Sequence, residues 1–386
     1  MAEPLKNQYG PEIPSKIAGM ISEVFPKFDS TAFIGDTLDG YEALSLTQRG
    51  WHITKTLCQY LPRDYEAAIE ILMASLGPKL DKTEGNGMET FTYLPHVFFV
   101  AEYGLDHFEA SMLAQYELTQ RFTAEFSIRA FLERYPEATL ARLEIWAGDP
   151  NVHVRRLVSE GTRPRLPWAP RLRQFQVDPG PVLALLELLK DDPELYVRRS
   201  VANNLNDIGK DRPTLLAETT RRWMKDATPE RRWLVRHALR SVVKRGEPGA
   251  LAVLGFDRDA KVSIHKVRIE PERVVIGESV AISFEITNTD SHPQRVLADL
   301  RIHFVKASGK TSPKVFKLKV LELAPQETAP ITKSISFAAM TTRKHYPGRH
   351  KLEIVLNGSA RALGAFQLVQ DRLFELAPRR RSARIL

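Results

Sequence analysis

The chain has 386 residues, 43% apolar and 26% charged, with a formal net charge of +8. This composition is typical of a globular protein, and the length predicts two domains. The single cysteine, Cys58, excludes an intrachain disulfide and a cysteine-rich zinc site. Because we find no secretory signal and no run near the roughly 18 apolar residues of a membrane span, we expect a cytoplasmic protein.

Apolar residues recur at helical spacing up to about residue 250. Val154, Leu157 and Val158, for example, lie at positions i, i+3 and i+4. We therefore predict an all-α domain over residues 1–255.

Three segments of this half share a V-R pattern: DPNVHVRRLVSE (149–160), DPELYVRRSVAN (192–203) and PERRWLVRHALR (229–240). Their arginines Arg155, Arg198 and Arg236 are 43 and 38 residues apart. This period predicts HEAT-like helical pairs stacked into a solenoid. In the first two copies, Asp-Pro predicts a helix start, with Asp as the cap and Pro in the first turn.

Residues 151–246 carry 20 lysines and arginines against 11 acidic residues, a net charge of +9. Most such runs are the solvated face of helices. A basic stripe that binds a polyanion is the alternative.

The apolar period changes to two beyond residue 261. In SVAISFEIT (279–287), Val280, Ile282, Phe284 and Ile286 share one face, and about seven such runs follow one another up to residue 369. We predict an all-β immunoglobulin-like sandwich over 262–370. The remaining boundaries are a linker at 256–261 and a basic, disordered tail at 371–386.

Three carboxylates are spaced near one repeat apart in or beside the basic segment: Glu125, Glu160 and Asp207. Glu160 follows Arg156 by one helical turn, so a surface ion pair is one explanation. The other is that a helix of each neighbouring repeat brings one acid to a common site. Since carboxylates repel phosphate, such a cluster suits a positively charged ligand.

Trp168 follows Glu160 in the run SEGTRPRLPW and offers an aromatic face for a cation or a sugar. A packed core or loop tryptophan is the alternative. Asn203 and Asn204, on the same helix as Asp207, are hydrogen-bond partners or exposed polar residues. The histidines show no metal-ligand spacing, so we expect neither a metal nor another cofactor.

The repeats, together with SEGTRPRLPW and RRSVANNLNDI, resemble the AlkC branch of the HEAT-like DNA alkylation-repair glycosylases, relatives of AlkD. The resemblance covers residues 1–255, and some members carry a C-terminal immunoglobulin-like domain. It implies a monofunctional enzyme that removes cationic bases such as 3-methyladenine, and also 3-methylcytosine and 1-methyladenine, without a metal and without flipping the base. It makes Glu125, Glu160 and Asp207 the catalytic acids, and it makes Trp168 the residue that faces the sugar.

Basic residues in both domains are candidates for contacts to duplex DNA by a monomer. In the helical half they are Arg155, Arg156, Arg163, Arg165 and Arg199. In the sandwich, the predicted loop TTRKHYPGRHK (341–351) offers Arg343, Lys344, Arg349 and Lys351. A non-catalytic HEAT scaffold for protein or nucleic acid is the competing hypothesis, although a scaffold has no need of the acidic trio.

Overall fold

The structure, a computed structural model, describes residues 5–85, 87–339 and 344–370. Contacts between Cα atoms divide the chain into two units, Met1–Ser241 and Val242–Leu386. Helices make up the first unit and strands most of the second, so the predicted order of an all-α part and an all-β part is confirmed. The predicted tail at 371–386 lies outside the described residues.

Within the described residues, fifteen α-helices are α1 Glu12–Val24, α2 Ser30–Leu38, α3 Leu46–Tyr60, α4 Tyr65–Ala74, α5 Leu94–Tyr103, α6 Phe108–Thr119, α7 Ile128–Arg134, α8 Pro136–Trp146, α9 Val152–Gly161, α10 Arg173–Val177, α11 Gly180–Leu189, α12 Leu195–Asp211, α13 Pro213–Met224, α14 Pro229–Arg245 and α15 Pro248–Val253. Three 3₁₀ helices add Leu5–Gln8, Tyr41–Ala43 and Glu89–Tyr93. None of the described helices is both long and apolar enough to cross a membrane.

The two Asp-Pro motifs lie just before their helices. Asp149 Oδ1 accepts a hydrogen bond from the backbone amide of Asn151 at 2.7 Å, and the side chain of Asn151 caps α9. The prediction that Asp caps the helix and Pro enters its first turn is therefore wrong. The motif instead forms a turn directly before the helix. In this turn the short Asp side chain accepts a hydrogen bond from a nearby backbone amide.

The first arginine of each V-R-R motif holds that turn from within the helix. Arg155 Nη1 donates to the carbonyl oxygens of Asp149 and Pro150 at 2.9 and 3.0 Å. Arg198 repeats both bonds one motif later, at 2.6 and 2.7 Å. The repeat seen in the sequence thus corresponds to a repeated set of contacts.

Helices α9 and α12 pack against each other through their apolar faces. Val154, Leu157 and Val158 on α9 are fully buried, and so are Val197 and Val201 on α12. This packing fixes the rotation of both helices. It determines which polar side chains at their C-terminal ends meet.

In the described part of the second unit, eight strands form two sheets: β1 Val262–Glu270, β2 Arg273–Val275, β3 Ser279–Asn288, β4 Gln294–Val305, β5 Thr311–Leu323, β6 Thr328–Ser336, β7 Gly348–Leu356 and β8 Ser359–Val369. One sheet has the order β1-β3-β6 and the other β2-β8-β7-β4-β5. Val280, Ile282, Phe284 and Ile286 are buried in the core, as their alternation predicts.

Residues 242–257 belong with the sandwich. Gly246 and Gly358 both have positive φ, and a Cβ on either would lie about 3 Å from the other's backbone, so only glycine allows this approach. Arg295 Nη1 donates to the carbonyl of Leu254 at 2.5 Å. The units therefore separate within α14, before the boundary predicted at residue 255.

Candidate active site

The three predicted acids occupy different local structures. Glu160 lies in the last turn of α9, and Asp207 lies in the last turns of α12. Glu125 lies in the turn before α7, so the expectation that every acid comes from a helix is wrong. That turn is stabilised by a hydrogen bond of 3.1 Å from the backbone amide of Glu125 to Thr123 Oγ1.

Two arginines link these acids into one buried network of alternating charge. Arg156 Nη1 lies 2.6 Å from Glu125 Oε2, and its Nη2 lies 3.6 Å from Glu160 Oε1. Arg163 Nη1 lies 2.6 Å from that same Glu160 oxygen, and its Nε lies 2.9 Å from Asp207 Oδ2. The pair of Glu160 with Arg156 therefore exists, but within a buried cluster instead of on the surface.

The second oxygen of Glu160 has its own donor. Ser200 on α12 donates to Glu160 Oε2 at 2.6 Å, and Ser159 donates to Ser200 at 2.7 Å. Asp207 also accepts from Lys210 at 2.8 Å. These bonds fix the orientation of the Glu160 carboxylate from two adjoining helices.

This environment keeps Glu160 ionised. Burial by itself raises the pKa of Glu160, but the charges of Arg156 and Arg163 and the hydrogen bonds of Ser200 and Arg163 outweigh it, so the pKa lies below its ordinary value. Glu160 in turn helps to raise the pKa of both arginines. At neutral pH Glu160 and its two arginines therefore carry full charges.

A cavity of about 340 Å³ opens beside this network. Glu125, Glu160 and Arg156 line it together with aromatic side chains, namely Phe91, Phe122, Phe126, Trp168 and Tyr196. Carboxylates beside aromatic faces are a setting that stabilises positive charge.

Trp168 lies at this cavity with 62% of its surface exposed, so the alternative of a core tryptophan is wrong. Its φ is 64°, a left-handed conformation that is unusual for a bulky residue. Such strain persists where surrounding contacts hold it and is found most often at functional sites.

Asp207 differs from the two glutamates. It is fully buried and does not line the cavity, and it meets the cluster through Arg163. Within the described ranges, no group of three or more His, Cys, Asp or Glu side chains is arranged to hold a metal ion.

Known proteins resemble the chain over nearly its whole length. The protein YhaZ of Bacillus subtilis (strain 168), described as uncharacterized, is 38% identical over 366 residues, which cover 94% of this chain and 99% of YhaZ. The solved structure of the Pseudomonas fluorescens alkylpurine DNA glycosylase AlkC, bound to DNA containing an abasic site analog, is 38% identical with a TM-score of 0.86. It covers 95% of this chain and 100% of AlkC.

The chain belongs to the AlkC family of DNA glycosylases. Residues 263–370 match the family model for the C-terminal Ig-like domain of YhaZ, which is described as an uncharacterised protein.

Two of the arginines predicted to bind DNA are engaged within the protein. All three nitrogens of Arg155 donate, to Asp192 and to the carbonyls before α9. Arg165 forms a two-bond pair with Asp211, at 2.8 and 2.5 Å. These contacts favour a structural role for both.

Arg199 is the predicted helical-domain cation with the most open side chain, 43% exposed. Its partner, Glu84, is also exposed, and such surface pairs exchange easily with another anion. Arg156 and Arg163 instead lie inside the acidic cluster, with 17% and 11% exposure.

The basic stretch of the sandwich is only partly a loop. Arg343 lies outside the described residues, and Lys344 is exposed in the loop before β7. Arg349 and Lys351 lie on β7 itself, so the prediction of a loop up to residue 351 is wrong. Both are exposed because they alternate with the buried His350.

Sequence reasoning overlooked Ser200, which donates to Glu160, and Arg240, which contacts Asn203. Ser200 stands next to Arg199 with no motif of its own. Arg240 Nη2 donates to Asn203 Oδ1 at 2.9 Å, one repeat beyond Glu160. Asn203 lies one sequence repeat after Glu160, so the repeat spacing could have indicated this contact. The neighbouring Asn204 is buried, and its side chain donates to the carbonyl of Ser159 at 2.8 Å.

Proposed function

We propose that the protein is a monofunctional DNA glycosylase that excises cationic N-alkylated bases from duplex DNA. The substrate we favour is 3-methyladenine, with 3-methylcytosine and 1-methyladenine as further candidates. The enzyme acts as a monomer, without a metal or other cofactor and without flipping the base. One observation carries this proposal: two carboxylates, those of Glu125 and Glu160, line an aromatic cavity.

The chemistry follows from the charge of the substrate. An alkylated base such as 3-methyladenine is already cationic, so it leaves without protonation by a general acid. When the C1′–N bond breaks, its electron pair neutralises the base and the deoxyribose becomes an oxocarbenium ion. Fixed carboxylates stabilise that ion, and water then adds to C1′ and releases a proton.

Glu160 is the residue best placed to stabilise the sugar cation. Its carboxylate is held by Arg163 and Ser200, so it needs no reorganisation as charge develops. Glu125 adds a second carboxylate and can orient the water. Trp168 supplies an aromatic face for the sugar, at the exposed side of the same cavity.

Asp207 acts through its neighbour. Because it is buried and paired with Arg163 Nε at 2.9 Å, we assign it the role of positioning Arg163, and thereby Glu160. This role still makes Asp207 necessary for full activity. It predicts that Asp207→Asn retains more activity than Glu160→Gln.

DNA is held by cations outside the acidic cluster. Arg199 is the candidate in the helical domain, and Lys344, Arg349 and Lys351 are the candidates in the sandwich, where all three are exposed. Contacts of this kind are with phosphates, so they do not read sequence.

The direct test is incubation of the pure protein with a duplex that carries one 3-methyladenine, followed by detection of free base under single-turnover conditions. We expect release of the base with the DNA strand left intact until alkali is added. A scaffold without catalysis would bind the duplex and release nothing. Cleavage of the strand without alkali would contradict a monofunctional enzyme.

A further inference from the structure

We infer that Arg129 is a positioning residue that fixes the loop carrying Trp168 to the helix that follows Glu125. The inference rests on the proposed function, since Trp168 and Glu125 line the cavity to which that function is assigned. Arg129 itself does not line that cavity.

The side chain of Arg129 joins both ends of the loop between α9 and α10. Its Nη1 donates to the carbonyl of Gly161 at 3.1 Å and to that of Arg163 at 2.7 Å. Its Nη2 donates to the carbonyl of Pro170. Trp168 lies between these anchor points, so one guanidinium closes the loop that presents it.

The partners of Arg129 are unusual for a buried cation. The residue is only 4% exposed, and the hydrogen bonds of its Nη1 and Nη2 all go to backbone carbonyls. Burial lowers the pKa of Arg129 to about 10, opposed by the charges of Glu133 and Glu125. Burying a guanidinium that has no carboxylate partner among the described residues is unfavourable, and we attribute its presence to the loop geometry that it enforces.

The same helix also supports Glu125, another residue that lines the cavity. Arg129 is in the first turn of α7, and Glu125 lies in the turn that leads into this helix. The amide of Ile128 donates to the carbonyl of Ala124 at 3.1 Å, which ties that turn to α7. The turn of Glu125 and the loop of Trp168 are therefore both joined to one short helix.

The chain offers a matched control in Arg49. It too is buried, at 6% exposure, and donates to backbone carbonyls, those of Lys6, Tyr9, Tyr41 and Glu42. It lies among the N-terminal helices and does not line the cavity. Substitutions at Arg49 and Arg129 thus remove the same kind of interaction.

The experiment compares Arg129→Lys and Arg129→Met with the same substitutions at Arg49. The protein has five tryptophans, and labelling with 5-fluorotryptophan gives each a ¹⁹F resonance, with that of Trp168 assigned through Trp168→Phe. Spectra are recorded without DNA. Single-turnover excision and duplex affinity are then measured below the unfolding temperature of every variant.

We expect the Trp168 resonance to shift or broaden in both Arg129 variants and to stay unchanged in both Arg49 variants. Lysine should not rescue, because one ammonium cannot span both ends of the loop. Excision should slow by about 100-fold, as for a misplaced catalytic group, with duplex affinity changed less than threefold.

An unchanged Trp168 resonance in the Arg129 variants would overturn the inference. If those variants do not fold, the wild-type spectrum decides: a clamped loop gives one Trp168 line, and several lines would contradict the clamp. If the wild-type protein excises no alkylated base, the proposed function fails, but the spectra still test the contact between Arg129 and the loop.

Discussion

Replacing Glu160 by Gln removes one charge from the centre of the cluster and keeps the shape of the side chain. A carboxylate about 4 Å from the developing sugar cation contributes about 4 kcal/mol at an effective dielectric constant near 20. Losing it should slow excision by about 1,000-fold. The low exposure of Glu160, 6%, argues against a larger dielectric constant and a smaller effect.

The assay is single-turnover release of 3-methyladenine from a duplex in excess enzyme. Glu160→Gln also weakens a buried hydrogen-bond network, and we expect a loss of about 1–3 kcal/mol in the free energy of unfolding. Asp192→Asn provides the control. Asp192 is a buried carboxylate paired with Arg155 at 2.6 Å, and it does not line the cavity.

The control should lose comparable stability and keep its excision rate. Duplex affinity should remain close to wild type in both variants, because neither acid contacts phosphate. Excision by Glu160→Gln within threefold of wild type would refute the electrostatic role of Glu160. An equal loss of excision in Asp192→Asn would show that stability, not charge, governs the rate.

Three further predictions concern pH, the domain boundary and the sandwich. The pKa of Glu160 is lowered in the folded protein, so its ionised form stabilises the fold above the ordinary carboxyl pKa. This stabilisation disappears as the pH falls through the lower pKa of the folded state. Excision by the folded protein should therefore vary little between about pH 5 and pH 8. A chain of residues 1–241 should stay monomeric in size-exclusion chromatography, whereas residues 1–261 should aggregate, since Leu251 contacts Gly358 and would be exposed. Reversing the charges of Lys344 and Arg349 should weaken duplex binding at low salt and have a smaller effect at high salt. If the charge-reversed and wild-type proteins bind the duplex equally well at both salt concentrations, these residues do not contact phosphates.

The sequence predicted the two halves because each has a strong period. Val154, Leu157 and Val158 are buried as their spacing of 3 and 4 requires, and the alternating residues of 279–287 form the sandwich core. The boundary was harder to predict, since α15 continues the helical pattern but belongs with the sandwich. Periodicity reveals which face of an element is buried, not which neighbour buries it.

The candidate site was predictable where spacing follows the repeat. Arg155 and Arg156 show the limit, because the sequence gives no sign that they differ. Successive residues of a helix point about 100° apart, so Arg155 closes a turn with Asp192 while Arg156 reaches Glu125 and Glu160. The role of Arg129 was equally hidden, since its partners are backbone carbonyls, which no residue pattern marks.

The buried ion-pair cluster also explains how carboxylates can be accommodated in a basic segment. Residues 151–246 carry a net charge of +9, which attracts a polyanion. The cluster pairs three carboxylates, of Glu125, Glu160 and Asp207, with three cations, Arg156, Arg163 and Lys210. Buried pairing holds its charges in place, and under the proposed function the phosphates bind to exposed cations such as Arg199. Under the proposed function, the carboxylates of Glu125 and Glu160 that line the cavity favour a cationic base or sugar over a neutral one.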